Sequence, residues 1–158
     1  MLYRLLCRQV VEKDGTAIGS NISAGGSLIV YTGGIAHGVN QETGSALVAN
    51  TGAGTDIEGY NKLSHFTITG GEANYVVLEN TGELTVVAKT SAKNTTIDTG
   101  GKLIVQKEAK TDSTRLNNGG VLEVQDGGEA KHVEQQSGGA LIASTTSGTP
   151  VSYTHLTL

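Results

Sequence analysis

"GGKLIVQKEAKTDSTRLNNGGVLEV", residues 100–124, contains its own repeat. Gly100-Gly101 followed by Leu103 and Val105 returns as Gly119-Gly120 followed by Leu122 and Val124, a step from 100 to 119, or 19 residues. The same step reaches Gly138-Gly139 in one direction and, with one glycine lost, Thr81-Gly82 in the other. Gly25-Gly26 and Gly44-Ser45 keep the interval near the N-terminus. One unit, 44–61, has 18 residues; the next runs over 62–80, and a first unit falls at 6–24. A fixed period of this size outranks any element-by-element reading. The chain reads as about eight units of one pattern.

Within a unit the chemistry alternates. With the first glycine as position one, the fourth residues are Gln9, Leu28, Leu47, His65, Leu84, Leu103, Leu122 and Leu141. The sixth are Val11, Val30, Ala49, Thr67, Val86, Val105, Val124 and Ala143. Positions three and seven are mostly polar or small, so the segment is a strand with four and six inward. A second glycine pair often follows at nine and ten, as in Gly33-Gly34, Gly70-Gly71 and Gly127-Gly128. Then come a mostly alanine twelfth position (Ala17, Ala36, Ala73, Ala92, Ala130) and a seventeenth reading Ile22, Gln41, Tyr60, Leu78, Ile97, Leu116, Gln135. Nineteen residues are too few for a strand, a helix and two loops. They suit one coil of a parallel β-solenoid, with glycines at the corners and equivalent residues stacked at about 4.8 Å. A single unit cannot bury its apolar face; its neighbours cover it.

Composition agrees. The length of 158 residues is that of one ordinary domain. Glycine, 23 residues, is about twice its usual share. With no Trp and one Phe, the core must be built from Leu, Val, Ile and Ala. The net charge of −4 argues against a nucleic-acid partner, which would want a basic face. The lone Cys7 excludes an internal disulfide framework and a Cys-rich metal site. No apolar run approaches the roughly 20 residues that span a bilayer.

Two stretches depart from the register. "GYNKLSHFTIT" puts Lys62 and Leu63 where a glycine pair is expected and His65 where Leu stacks. This predicts a distorted coil or a bend between two regular rods near 58–68; sequence drift is the plainer alternative. Residues 1–7 are read as a ragged end. Residues 150–158, "PVSYTHLTL", have no place in the pattern. "VSYTHL" matches an in-frame reading of an adapter end used in transposon-based sequencing libraries, and the stretch is read as that scar, leaving residues 8–149 as a passenger fragment.

The runs "GGSLIVYTGGIAHGV", "GGEANYVVLENTGELTVV", "NTTIDTGGKLIV" and "NNGGVLEVQDGGEAKHV" resemble the AIDA-type repeat. That repeat builds the passenger domains of self-associating autotransporter adhesins of Gram-negative bacteria. The resemblance covers about residues 8–149, with the insert "KLSHFTITGGEANYVVLEN" between regular stretches. It implies an all-β, right-handed parallel β-helix displayed on the cell surface and secreted through a C-terminal outer-membrane β-barrel. It implies cell-to-cell aggregation and biofilm formation through an identical passenger on a neighbouring cell, sometimes binding to host surfaces, and in some members sugars on Ser and Thr. A stalk without a binding face is the alternative. A polysaccharide-degrading enzyme on the same architecture is disfavoured by short turns and the missing Trp.

Candidate sites follow from the register. The fifth position (Val10, Ile29, Val48, Phe66, Thr85, Ile104, Glu123, Ile142) points outward yet is mostly apolar. Exposed apolar ladders mark contact surfaces; strand propensity of β-branched residues is the plainer reading. The polar corner ending each unit, with Asn61, Asn80, Asp98, Asn117 and Asn118, offers donors and acceptors to a second rod or merely hydrogen-bonds along its own. "TGAGTDIEG", 51–59, occurs once, whereas calcium-binding turns of that kind work in tandem. His37, His65, His132 and His155 fall at no metal-ligand spacing. Asp56 with Glu58, and Glu123 with Asp126, are carboxylate pairs by composition alone and read as solvated surface. No cofactor is expected.

Overall fold

The computed structural model describes residues 8–143 and the backbone of 151–156. The Leu-x-Val segments stack as one parallel sheet of seven strands, in chain order: Arg8–Val11, Ser27–Val30, Ala46–Asn50, Glu83–Val86, Lys102–Val105, Val121–Val124 and Ala140–Ala143. Leu103 lies between Leu84 and Leu122, and Val105 between Val86 and Val124. Leu28, Leu47, Leu84, Leu103 and Leu122 are wholly buried. Each such burial contributes roughly 1.5–3 kcal/mol. The second sheet, of twelve strands, carries the other half of every coil, with Ala17, Ala36, Ala73, Ala92 and Ala130 inward. Small residues there let the two sheets close on one another. The molecule is a right-handed parallel β-helix.

A regular coil passes three residues with left-handed backbone; the coil that runs into the hairpin has only Gly44 and Gly54. Of the three, two are turns closed by a hydrogen bond between residues three apart, such as Gly101 N to Asp98 O and Ala109 N to Gln106 O. The third is a bend inside the second sheet, at Gly19, Gly38, Tyr75, Asn94, Ser113 and His132. The glycine pair divides two tasks. Gly100, at φ 83°, adopts the turn angle. Gly101 has no unusual angle, but a Cβ there would stand 2.1 Å from the carbonyl oxygen of Leu78 in the coil below.

Where the first glycine is lost, Thr81 holds φ 74° beside Asn80 at 48°. A β-branched residue resists this region, and Asn-Gly is the preferred pair for two left-handed positions. Thr81→Gly is expected to stabilise the rod by about 1 kcal/mol; a rise in the thermal midpoint checks it.

The sequence repeats predict about eight coils, and the first sheet holds seven rungs. The missing one is accounted for by residues 61–71. Asp56–Tyr60 does not turn the corner but runs on into a hairpin, pairing antiparallel with His65–Thr69, which pairs antiparallel with Glu72–Asn74. Asn61 makes the first turn, its Oδ1 accepting the Leu63 and Ser64 amides. Gly70 and Gly71, both left-handed, make the second. The return strand inverts the expected faces. Phe66, predicted outward, is wholly buried with Ile68 beside it, and His65, predicted inward, is exposed and leaves the Leu stack.

Beyond the hairpin the first sheet resumes. Glu83 pairs with Val48 and Leu84 with Ala49, a two-residue step from the register the repeats suggest. An even step keeps every side chain on its face. Three polar side chains close this seam over 36 residues where other rungs span 19. Gln41 Nε2 donates to Val77 O at 3.1 Å, Asn80 Nδ2 to Gly44 O at 2.7 Å, and Thr51 Oγ1 accepts from Val87 N at 3.0 Å. Val151–Leu156 adds a parallel strand to Glu129–Gln135 with two register shifts, at offsets of 20 and 21 residues rather than 19. Residues 1–7, and with them Cys7, lie outside the described residues.

Candidate functional site

The five polar candidates do not form one row. Asn61 is consumed by the hairpin: besides capping its turn, it donates from Nδ2 to Tyr75 O at 2.8 Å. Asp98 and Asn117 pair with each other, Asn117 Nδ2 donating to Asp98 Oδ1 at 2.6 Å. Asn80 and Asn118 stand one position further round the corner and are exposed, together with Thr99 and Ser137 at the same place in their coils. Backbone bonds between successive corners, such as Asn80 N to Thr99 O and Gly100 N to Gly119 O, hold this row straight.

The apolar candidates form a broken column. Ile29 is half-buried between Val10 and Val48, and Ile104 between Thr85 and Glu123. The two-residue step puts Glu83 beside Val48 and ends the column there. The carboxylate pairs do not face each other across a groove. Asp56 lies 2.9 Å from His37 Nε2, and Glu58 lies 3.2 Å from His65 Nε2, all on the outer face. Among the described residues no three His, Cys, Asp or Glu are placed to hold a metal.

One feature escaped the repeat pattern. Against the hairpin tip lies an open groove of about 830 Å³, bordered by Lys62, Leu63 and Ser64 and floored by the bend residues Tyr75, Asn94, Ser113 and His132. In the first two coils the bend is glycine, at Gly19 and Gly38. In the four coils after it the same backbone carries a side chain, at φ 54–58°. Each such residue costs on the order of 1–2 kcal/mol relative to glycine. The only sequence signal was the disappearance of glycine from positions 75, 94, 113 and 132.

Lys62 ties the hairpin to the corner. Its Nζ lies 2.5 Å from Asp98 Oδ2 and 3.4 Å from Glu79 Oε2. Burial acts to lower the Lys62 pKa, but the hydrogen bond and charge of Asp98, with those of Glu79, outweigh it and raise the group above its ordinary value. Burial likewise acts to raise Asp98, and the hydrogen bonds from Lys62 and Asn117 outweigh it and lower that carboxyl. The signs fix the window. A lowered carboxyl contributes stability above its unfolded pKa, near 3.9, and loses it as pH falls through the lower folded value. A raised amine contributes below about 10.4 and loses it as pH rises through the higher folded value. The tie is therefore expected to be intact across neutral pH and to fail at both extremes. Protection of the 61–64 amides, taken relative to their intrinsic exchange rates, should fall below pH 4, and should be lower in Lys62→Met across neutral pH.

Residues 58–120 match the family model described as adhesin of bacterial autotransporter system, probable stalk. Over that stretch the chain is similar to the stalk of AIDA-type autotransporter adhesins. It is 97% identical over 148 residues to Probable autotransporter YpjA of Escherichia coli (strain K12), a match covering 94% of this chain. The chain spans about 10% of that relative's length. Among solved structures, a TibC-catalysed hyper-glycosylated TibA fragment aligns with TM-score 0.38 at 26% identity, over 90% of this chain and 66% of that one. The AIDA-type match brackets the hairpin, beginning at Glu58 and ending at Gly120. This autotransporter chain is thus a passenger segment of the adhesin, stalk-forming kind.

Proposed function

We propose that this rod is adhesive through contact with a second copy of itself, the two lying antiparallel along the exposed corner Asn80, Thr99, Asn118 and Ser137. The observation that carries the reading is that row: four uncharged polar side chains in consecutive coils, all exposed. An antiparallel copy presents the same row at the same spacing, so every hydrogen bond made once is made again. Individually weak contacts then add through effective concentration. In this reading the rod stands at the outer surface of a Gram-negative cell, attached through a β-barrel carried elsewhere in the whole protein. It binds and does not catalyse.

Sedimentation of the full chain over a range of concentration tests this. Dimers that weaken at least ten-fold when Asn80 and Asn118 become glycine are the expected result. Because Asn80 Nδ2 also holds Gly44 O across the seam, the single change Asn118→Gly, read beside its thermal midpoint, separates loss of the contact from loss of the fold. Dimers that survive it but vanish with Ile104→Lys would move the contact to the first sheet. A strict monomer would make this stretch a spacer.

A further inference from the structure

The groove beside the hairpin is built for something other than a second rod. We propose that it binds an uncharged oligosaccharide, laid along the solenoid axis across the bend residues Tyr75, Asn94, Ser113 and His132.

Strained residues persist where something is gained from them, and an observed outlier is a fair start for a functional hypothesis. Four successive coils hold a side chain at a left-handed position that glycine fills at Gly19 and Gly38. A Cβ at Gly19 would meet nothing within 4 Å, so packing does not decide which residue stands at the bend. The groove's size, about 830 Å³, falls within the range of small-ligand sites.

Its charges point to a neutral ligand. Each basic side chain at the groove already faces a carboxylate: Lys62 faces Asp98 at 2.5 Å, Arg115 faces Glu134 at 3.4 Å, and His132 Nδ1 faces Asp112 Oδ1 at 2.8 Å. A polyanion or a cation would have to break these pairs. What stays on offer is uncharged: the Asn94 amide, the Ser113 hydroxyl oxygen, whose proton goes to Asp112 Oδ1 at 3.1 Å, and the half-exposed ring of Tyr75. The amide donates and accepts and the hydroxyl oxygen accepts, as a sugar's hydroxyls require. A tyrosine face takes the apolar face of a sugar ring. The four bend residues span three rungs, about 14 Å at the inter-strand spacing, so the site holds a short length of chain and not a single ring.

The test is electrophoresis of the full chain in gels cast with one of several neutral polysaccharides (dextran, laminarin, galactomannan) or with heparin. The expected result is retardation by at least one neutral polymer, unchanged between low and high salt. Tyr75→Ala should weaken it at least ten-fold. The double change Asn94→Gly, Ser113→Gly relieves strain, so that variant should melt no lower than the parent and still lose retardation. This separates loss of a site from loss of the fold. No retardation by any neutral polymer, retardation by heparin alone with steep salt dependence, or retardation that survives both variants would each overturn the proposal.

Discussion

Gly101→Ala is expected to destabilise the rod by about 3–5 kcal/mol, out of proportion to one added methyl group. The methyl would stand 2.1 Å from the Leu78 carbonyl oxygen and 2.4 Å from its carbon, both backbone atoms of the neighbouring coil. No rotamer can relieve that contact, so the two coils must separate. Overpacking a core normally costs about 1–3 kcal/mol, and larger losses need a specific cause such as this one. Gly100→Ala is the control. Its site has φ 83° and nearest contacts of 3.2 Å, tight but short of a clash, so the expected loss is about 1–2 kcal/mol, mainly from the backbone angle. Stability in a solenoid is held by nearest-neighbour interfaces. Urea unfolding of Gly101→Ala should therefore split into two transitions, one for the coils on each side. A loss no larger than that of Gly100→Ala would mean the second glycine is not there for close approach.

Phe66→Ala is expected to cost about 3–5 kcal/mol. Phe66 is the largest side chain in the described core and has no exposed surface. It anchors the hairpin's return strand, paired opposite Gly59, with Ile68 opposite Ile57. Truncation leaves a cavity under the hairpin while both flanking stacks of coils stay intact. The loss should fall on residues 56–74, seen as faster amide exchange there, while the Leu103 and Leu122 rungs keep their protection. Had Phe66 stood outward in the apolar ladder, the same change would be nearly silent, so the measurement decides between the periodic reading and the folded one.

That contrast shows where the sequence was legible. The glycine pairs and the Leu-x-Val alternation were enough to set the solenoid, its inward positions and the site of its irregularity. They could not show the hairpin, because a parallel rung and an antiparallel return strand share a period of two. Alternation gives the faces of a strand and not its direction. Counting in nineteens through residues 62–80 therefore turned Phe66 outward and His65 inward. The wall of the groove was hidden for the same reason. Its floor was hidden differently, since a left-handed angle at Tyr75, Asn94, Ser113 or His132 leaves no mark in residue type once glycine is gone. Nor could the repeat show that Asn61, alone of the five polar candidates, would be spent on a turn.

The seam at the hairpin also gives the rod an uneven response to tension. Drawn out from either end, a solenoid yields one coil at a time, and 19 residues of extended chain lengthen it by about 65 Å per event. At the seam, contacts such as Asn80 to Gly44 join residues 36 apart. When they give way, nearly twice as much chain comes free, about 120 Å. A rod under load would then carry, partway along its length, one long give that dissipates a sudden pull before the next regular rung is asked to bear it.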